Sequence, residues 1–179
     1  AQLKVIDQIA KDFSSGTPMN RLLQGDVGSG KTIIAAFGVY AVIQKDAQAA
    51  FMAPTSILAE QHFRSLTSLL TNIKDSPVQI TSEEIRLLTG DTNPREKEEI
   101  KSGILDGTIK LIIGTHALIE DPIQFKSLQF IIIDEQHRFG VSQRAALRQK
   151  GKNPHLLVMS ATPIPRSLAL TLYGDLELS

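Results

Sequence analysis

The stretch Arg21 to Ile43, RLLQGDVGSGKTIIAAFGVYAVI, most narrows the folds open to this chain. A short apolar segment, Arg21 to Gln24, runs into GDVGSGKT, and that turn runs into the long apolar segment Ile33 to Ile43. Gly25 to Thr32 fits the spacing G-x-x-x-x-G-K-[ST], which carries meaning only between a strand and a helix, the context found here. Gly25, Gly28, Ser29 and Gly30 allow backbone N–H groups to curl around phosphate oxygens, and a helix opening near Lys31 adds a dipole that favours anions. Lys31 is then placed to reach the β- and γ-phosphates of a nucleotide, and the Thr32 hydroxyl to ligate Mg²⁺. The competing reading is a glycine-rich turn beside a fortuitous lysine.

A second apolar segment ends in acids at Phe130 to Gly140, FIIIDEQHRFG. Ile131, Ile132 and Ile133 do not alternate with polar residues, which suits a strand covered on both faces in a parallel sheet. Asp134 and Glu135 fall at the carboxyl end of that strand, where open α/β sheets bind their ligands. Beside a phosphate-binding turn, Asp134 is the acid expected to hold Mg²⁺. Glu135 is then the base expected to orient and deprotonate a water attacking the γ-phosphate. The alternative is an acidic helix cap that only complements a dipole. Gln136 and His137 are left over, since a lone histidine is usually a satisfied structural side chain.

Strand and helix signals alternate along the rest of the chain. Leu3, Ile6, Ile9 and Phe13 recur at helical spacing, and Ser14 to Gly16 stop that helix. Strands are expected at Ala49 to Ala53, Ile85 to Leu88, Lys110 to Ile113, Leu128 to Ile133 and His155 to Met159. Helices are expected at Thr55 to Leu70, capped by Thr55, and from Asn93 to about Leu105, with Pro94 at the first helical position and Glu96 as a capping glutamate. A further helix is expected at Pro165 to Tyr173, and Asn72 to Glu84 reads as loop. The fold class is therefore α/β, a doubly wound, mainly parallel sheet with helices on both faces. At 179 residues the chain is expected to form one domain with a sizeable core. Its first residue lies inside a helical pattern and its last follows another, so residues 1–179 are expected to be a piece of a longer protein.

Nineteen basic residues balance nineteen acidic ones, so net charge makes no case for nucleic acid or a membrane surface. The absence of cysteine excludes a disulfide framework and a thiolate metal site, and fits a reducing cytoplasm. No apolar run approaches the roughly 18 residues that a membrane span needs. Aromatic residues are only 5%, without tryptophan, which argues against a platform for stacking bases. Locally, Arg138 through Gly174 contains no acid but carries Arg138, Arg144, Arg148, Lys150, Lys152 and Arg166. Such a stretch could face nucleic-acid phosphates or a neighbouring domain, or be a plain solvated face.

Four polar clusters follow expected strands: APT (Ala53 to Thr55), TG (Thr89 and Gly90), GTHAL (Gly114 to Leu118) and SATPIPR (Ser160 to Arg166). Each alone is ordinary turn and capping chemistry. Together they set hydroxyls, backbone N–H groups and helix N-termini, all phosphate-contacting devices, on the ligand edge of the sheet.

In order, GDVGSGKT, APTSILAEQH, GTHALI, DEQHRFG and SATPIPR resemble the motifs of superfamily-two helicases. They are closely similar to the first RecA-like motor domain of the RecG-type ATP-dependent DNA helicases, over essentially the whole chain. Transcription-repair coupling translocases share the RFG and TATPIPR stretches. They typically carry phenylalanine where this chain has Ser29 and glutamate where it has Gln136. The resemblance implies ATP and Mg²⁺ as cofactors and branched or double-stranded DNA as partner. It implies translocation on the duplex, fork reversal and branch migration of junctions in repair and recombination, by a monomeric chain with a second RecA-like domain and a wedge domain. It also implies roles for single residues. Gln2 resembles the glutamine that reads adenine, Lys31 and Glu135 the catalytic pair, and His137 the residue joining hydrolysis to movement. Pro54, Thr55, Thr89, Gly90, Thr115 and His116 fall in motifs that track a nucleic-acid strand. Gln136, Ser160 and Thr162 fall in motifs that link that strand to hydrolysis, with Ser160 keeping the hydroxyl of the usual threonine. The isolated first domain lacks a partner's arginine finger, so poor ATP turnover and no unwinding are expected of it alone. It could then behave as a nucleotide-binding module without productive hydrolysis. A P-loop kinase is the third reading, disfavoured by His137 and SATPIPR.

Overall fold

The apolar runs become strands buried on both sides. The computed structural model describes residues 1–26, 28–134, 141–162, 165, 167 and 176–179. In chain order its elements are α1 (Gln2–Ser14), β1 (Asn20–Gln24), α2 (Lys31–Ile43), β2 (Gln48–Met52), α3 (Ser56–Thr71), β3 (Ile85–Leu88), α4 (Pro94–Asp106) and β4 (Leu111–Gly114). There follow α5 (Ala117–Glu120), β5 (Leu128–Asp134), α6 (Val141–Arg148), β6 (His155–Ser160) and β7 (Glu177–Leu178). The seven strands form one sheet in the order β3-β4-β2-β5-β6-β1-β7, and every pairing is parallel. This is the doubly wound α/β architecture expected from the sequence.

Side-chain parity sorts the core into two layers. Leu23, Phe51, Ile113, Phe130, Ile132 and Leu157 pack with residues of α1, α2 and α3 on one face. Leu22, Ala50, Met52, Ile112, Ile131, Ile133 and Val158 pack with residues of α4 and α6 on the other. Ile131, Ile132 and Ile133 are each fully buried. Each such side chain contributes about 1.5–3 kcal/mol of transfer free energy, so β5 anchors both layers at once.

The local signals behave as their chemistry requires. Thr55 caps α3 by accepting the Leu58 N–H at 3.2 Å. Asn93 caps α4 by accepting the Glu96 N–H at 2.8 Å, with Pro94 opening the helix. The Glu96 carboxylate, expected to complete that cap, instead faces Arg86 of β3 at 3.4 Å. Within the expected loop Asn72 to Glu84, Ser82–Glu84 form one 3₁₀ turn capped reciprocally by Thr81 and Glu84. Three elements go beyond the sequence reading: the single turn α5, the short α6 and the two-residue β7. Of the helix expected at Pro165 to Tyr173, only Pro165 and Ser167 lie within the described residues.

The acid-free stretch turns inward in its described part. Arg144 is buried, Arg148 donates to Asn20 Oδ1 at 2.7 Å, and Lys150 Nζ donates to the Ile123 carbonyl at 3.1 Å. Arg148 and Lys150 brace the amino-terminal edge of the sheet, and of the described basic residues in this stretch only Lys152 is exposed.

Gln48 is a buried brace at that edge. Its buried carboxamide donates to the carbonyls of Ile104 (2.9 Å) and Ile109 (2.8 Å) and accepts the Ser127 N–H at 2.8 Å. One side chain thus closes the end of α4, the start of β4 and the start of β5. Gln48→Leu should lower unfolding free energy by about 2 kcal/mol, because it strands the Ile109 carbonyl and the Ser127 N–H and leaves the Ile104 carbonyl only the Lys126 N–H at 3.3 Å. Urea denaturation of the two chains measures this.

Beside it, His155 Nδ1 accepts the Met19 N–H at 2.9 Å, and its ring lies on Phe13 at 4.3 Å between centroids. Burial holds its pKa below the ordinary 6.5, with the Asp12 carboxylate opposing and the Lys45 ammonium reinforcing the shift. The unfolded chain therefore binds this proton first on acidification. The stability that His155 contributes is present above about pH 6.5 and is lost as pH falls through the folded value. His155→Asn should flatten the fall in thermal stability between about pH 7 and about pH 5.

Candidate functional site

Parallel pairing aligns the carboxyl ends of β1, β6 and β5. Gln24 is in register with Ser160, and Met159 with Asp134. With strands about 4.8 Å apart, Asp134 ends roughly 10 Å across the sheet from the end of β1. Asp134 continues the parity of Phe130 and Ile132, so its carboxylate points to the face covered by α2 and α3. Lys31 and Thr32, the first residues of α2, lie over that same face.

The turn before α2 has the backbone that its glycines allow. Gly28 and Gly30 have φ near +85°, the left-handed region that other residues enter only under strain. At Gly30 space matters as well, because a Cβ there would collide with the carboxamide of Gln2. That carboxamide donates to the Ser29 carbonyl at 3.0 Å, so α1 reaches the phosphate-binding turn through the residue expected to read the base. Lys31 folds back over the turn, donating from Nζ to the Gly25 carbonyl at 2.5 Å and the Asp26 carbonyl at 3.2 Å. A phosphate entering the turn must draw the ammonium off these carbonyls, exchanging two neutral acceptors for an anionic one.

The acid is held from the opposite side. Asp134 Oδ2 lies 2.5 Å from Nε2 of His62, which projects from α3, and the two side chains are 8% and 16% exposed. The imidazole also lies against Phe51, 4.5 Å between ring centroids. His62 was not singled out from the sequence, although it ends the stretch APTSILAEQH. The available signal was its place seven residues after Thr55, two turns along the same side of the helix.

Among the described residues no group of three or more His, Cys, Asp or Glu side chains could cage a metal. One buried carboxylate and one threonine hydroxyl suit Mg²⁺, which keeps several waters and arrives on substrate phosphates. Glu135, Gln136 and His137 lie outside the described residues.

The remaining expected site residues share this edge and are laced by backbone bonds. The Gly25 N–H donates to the Ser160 carbonyl at 3.1 Å, coupling the phosphate-binding turn to the end of β6. The hydroxyls of Ser160 and Thr162 lie 3.2 Å apart. On the other side, the Ala53 N–H donates to the Gly114 carbonyl (2.9 Å) and the Thr115 N–H to the Leu88 carbonyl (3.3 Å). Gly114 is needed there, since a Cβ would strike the Leu88 carbonyl oxygen. The turns carrying Pro54 and Thr55, Thr115 and His116, and Thr89 and Gly90 are thereby fixed side by side. Thr55 and Gly90 are exposed. Thr89 is buried and its hydroxyl accepts the Asp91 N–H at 3.3 Å, so it shapes its turn.

Residues 1–171 match the family model of the DEAD/DEAH box helicases. The chain belongs to that family. Over its whole length this helicase domain is 51% identical to the ATP-dependent DNA helicase RecG of Synechocystis and 52% identical to that of Streptococcus pneumoniae. It spans only 21% and 25% of those proteins. A structure of RecG bound to a three-way DNA junction matches it with a TM-score of 0.81 at 48% identity, over 99% of this chain and 22% of that one. The helicase domain of Pyrococcus furiosus Hef shares the fold, with a TM-score of 0.72 at 21% identity, over 99% of this chain and 36% of that one. Within the family the domain is of the RecG type and corresponds to its first motor domain.

Gly30→Ala should strain the turn and push Gln2 away. The expected result is a nucleotide affinity reduced by about tenfold or more, equivalent to about 1.4 kcal/mol. Titration with a fluorescent ATP analogue reads this directly.

Proposed function

We propose that this domain is the ATP-binding motor of a RecG-type helicase that couples ATP hydrolysis to movement on double-stranded DNA. In the full chain it serves fork reversal and branch migration of junctions during repair and recombination. The observation that carries this reading is the convergence of the Lys31–Thr32 helix start and Asp134 on one face of the sheet's carboxyl edge, beside four laced polar turns.

Each residue then has a task. Gln2 recognises adenine, while Gly25, Gly28, Ser29 and Gly30 present the turn to the phosphates. Lys31 moves from the turn's carbonyls to the β- and γ-phosphates, and Thr32 and Asp134 hold Mg²⁺. The ion would neutralise charge developing on the phosphates when bound. Glu135 takes the proton of the attacking water. Pro54, Thr55, Gly90, Thr115 and His116 face the DNA backbone, and Thr89 supports its turn. Gln136, His137, Ser160 and Thr162 link the state of the nucleotide to the grip on DNA.

The partners of this reading are branched or duplex DNA and, within the same full-length chain, a second RecA-like domain supplying an arginine finger and a wedge domain entering the junction. The chain acts as a monomer in the cytoplasm. Among the described residues no helix is long and apolar enough to cross a membrane. In the full-length protein, Glu135→Gln should bind ATP normally while DNA-stimulated turnover falls by at least about 100-fold. Near-normal turnover would move the base elsewhere. His137→Ala should hydrolyse ATP without moving DNA, and intact coupling in a triplex-displacement assay would reject that role.

A further inference from the structure

The contact between His62 and Asp134 joins residues 72 positions apart and is absent from the roles assigned above. We propose that His62 is a positioning residue for the metal acid, its Nε2–H fixing Oδ2 of Asp134 so that the other carboxylate oxygen is presented toward Mg²⁺ carried by the nucleotide. The inference rests on the reading of Asp134 as metal acid.

A metal-binding carboxylate only accepts hydrogen bonds, so at 2.5 Å the imidazole nitrogen is the donor. The carboxylate has two oxygens and about four lone-pair directions, so one bond at Oδ2 leaves Oδ1 open. The ring is held in turn. It lies on Phe51 of β2, 4.5 Å away, and is itself only 16% exposed, so it cannot swing to another partner without unpacking. Asp134 is the last residue of β5, where the ladder stops constraining the chain and a side-chain bond has most to fix. Ligating carboxylates are commonly oriented by such an outer partner, whose loss costs about 10–100-fold in metal affinity.

His62 also gives α3 a hold on the acid. That helix begins at the Thr55 cap, in the turn assigned to DNA, and His62 lies about 10 Å further along its axis. A displacement of the turn is therefore transmitted by a rigid element to the group that orients Asp134.

The test uses two substitutions in the full-length protein. His62→Phe keeps the packing on Phe51 and removes the donor, whereas His62→Gln keeps an N–H near the position of Nε2. The readout is the Mg²⁺ concentration giving half-maximal Mg²⁺-dependent binding of a fluorescent, non-hydrolysable ATP analogue, with Mg²⁺-free binding and thermal midpoint measured alongside. For His62→Phe that concentration should rise about tenfold, with Mg²⁺-free binding within about twofold of the parent. His62→Gln should recover most of the difference. Unchanged Mg²⁺ dependence in His62→Phe overturns the proposal, as does an equal loss in Phe and Gln variants or an equal weakening of Mg²⁺-free binding. Asp134→Asn separates the levels. If it raises the Mg²⁺ requirement and His62→Phe does not, only the role of His62 fails; if neither does, the assignment of Asp134 fails with it.

Discussion

A sheet in which every strand runs the same way must bring all its carboxyl ends to one edge, and everything functional here follows from that constraint. Each return crossing passes over a face, so helices that follow strands start at the same edge and aim their N-terminal dipoles there. The phosphate-binding turn between β1 and α2 and the acid at the end of β5 need not be near in sequence. Parallel register through β6 is sufficient to align them.

The two edges of the sheet have opposite chemistry. At the amino-terminal edge, polar groups are consumed internally: Gln48 by three backbone groups, His155 by the Met19 N–H, Arg148 by Asn20 and Lys150 by carbonyls. Arg21, nearly buried in β1, pairs with Asp12 of α1 and Glu177 of β7 and bonds the Ser179 hydroxyl, closing the outer side of the sheet. At the carboxyl edge the backbone bonds lace turn to turn, yet Thr55, Gly90, Ser29 and Gly28 remain exposed. A rigid base under a lined but open rim suits a site that must bind charged ligands without reorganising its scaffold.

What the sequence made legible was what local chemistry decides. The triple isoleucine announced a doubly covered strand, Thr55 and Asn93 announced helix starts, and GDVGSGKT announced a turn that only glycine's backbone can make. What it concealed depends on distant partners. VSQRAALR is only eight residues long with two large apolar side chains, too few to set a helical period and declare α6, and β7 exists because the backbone of β1 and the Arg21 side chain hold it. The basic run looked like a surface until Arg148 and Lys150 found acceptors from other parts of the chain. His62 drew no reading of its own from the sequence, because nothing local indicates that Asp134 lies beside it.

That last pair also joins the two flanks of the carboxyl edge. The lacing of Ala53 to Gly114 and of Thr115 to Leu88 ties the turns at Thr55, Thr89 and Thr115 to one another. On the other flank, the bond from Gly25 to Ser160 ties the glycine-rich turn to the end of β6. Between them stands β5, paired to β2 on one flank and β6 on the other, with Asp134 at its tip and His62 of α3 as the side-chain link across. The packing of α2 on α3 in one shared core layer, Ile34 and Val39 with Ala59 and Leu66, ties the two flanks further, so the edge holds its shape as one body.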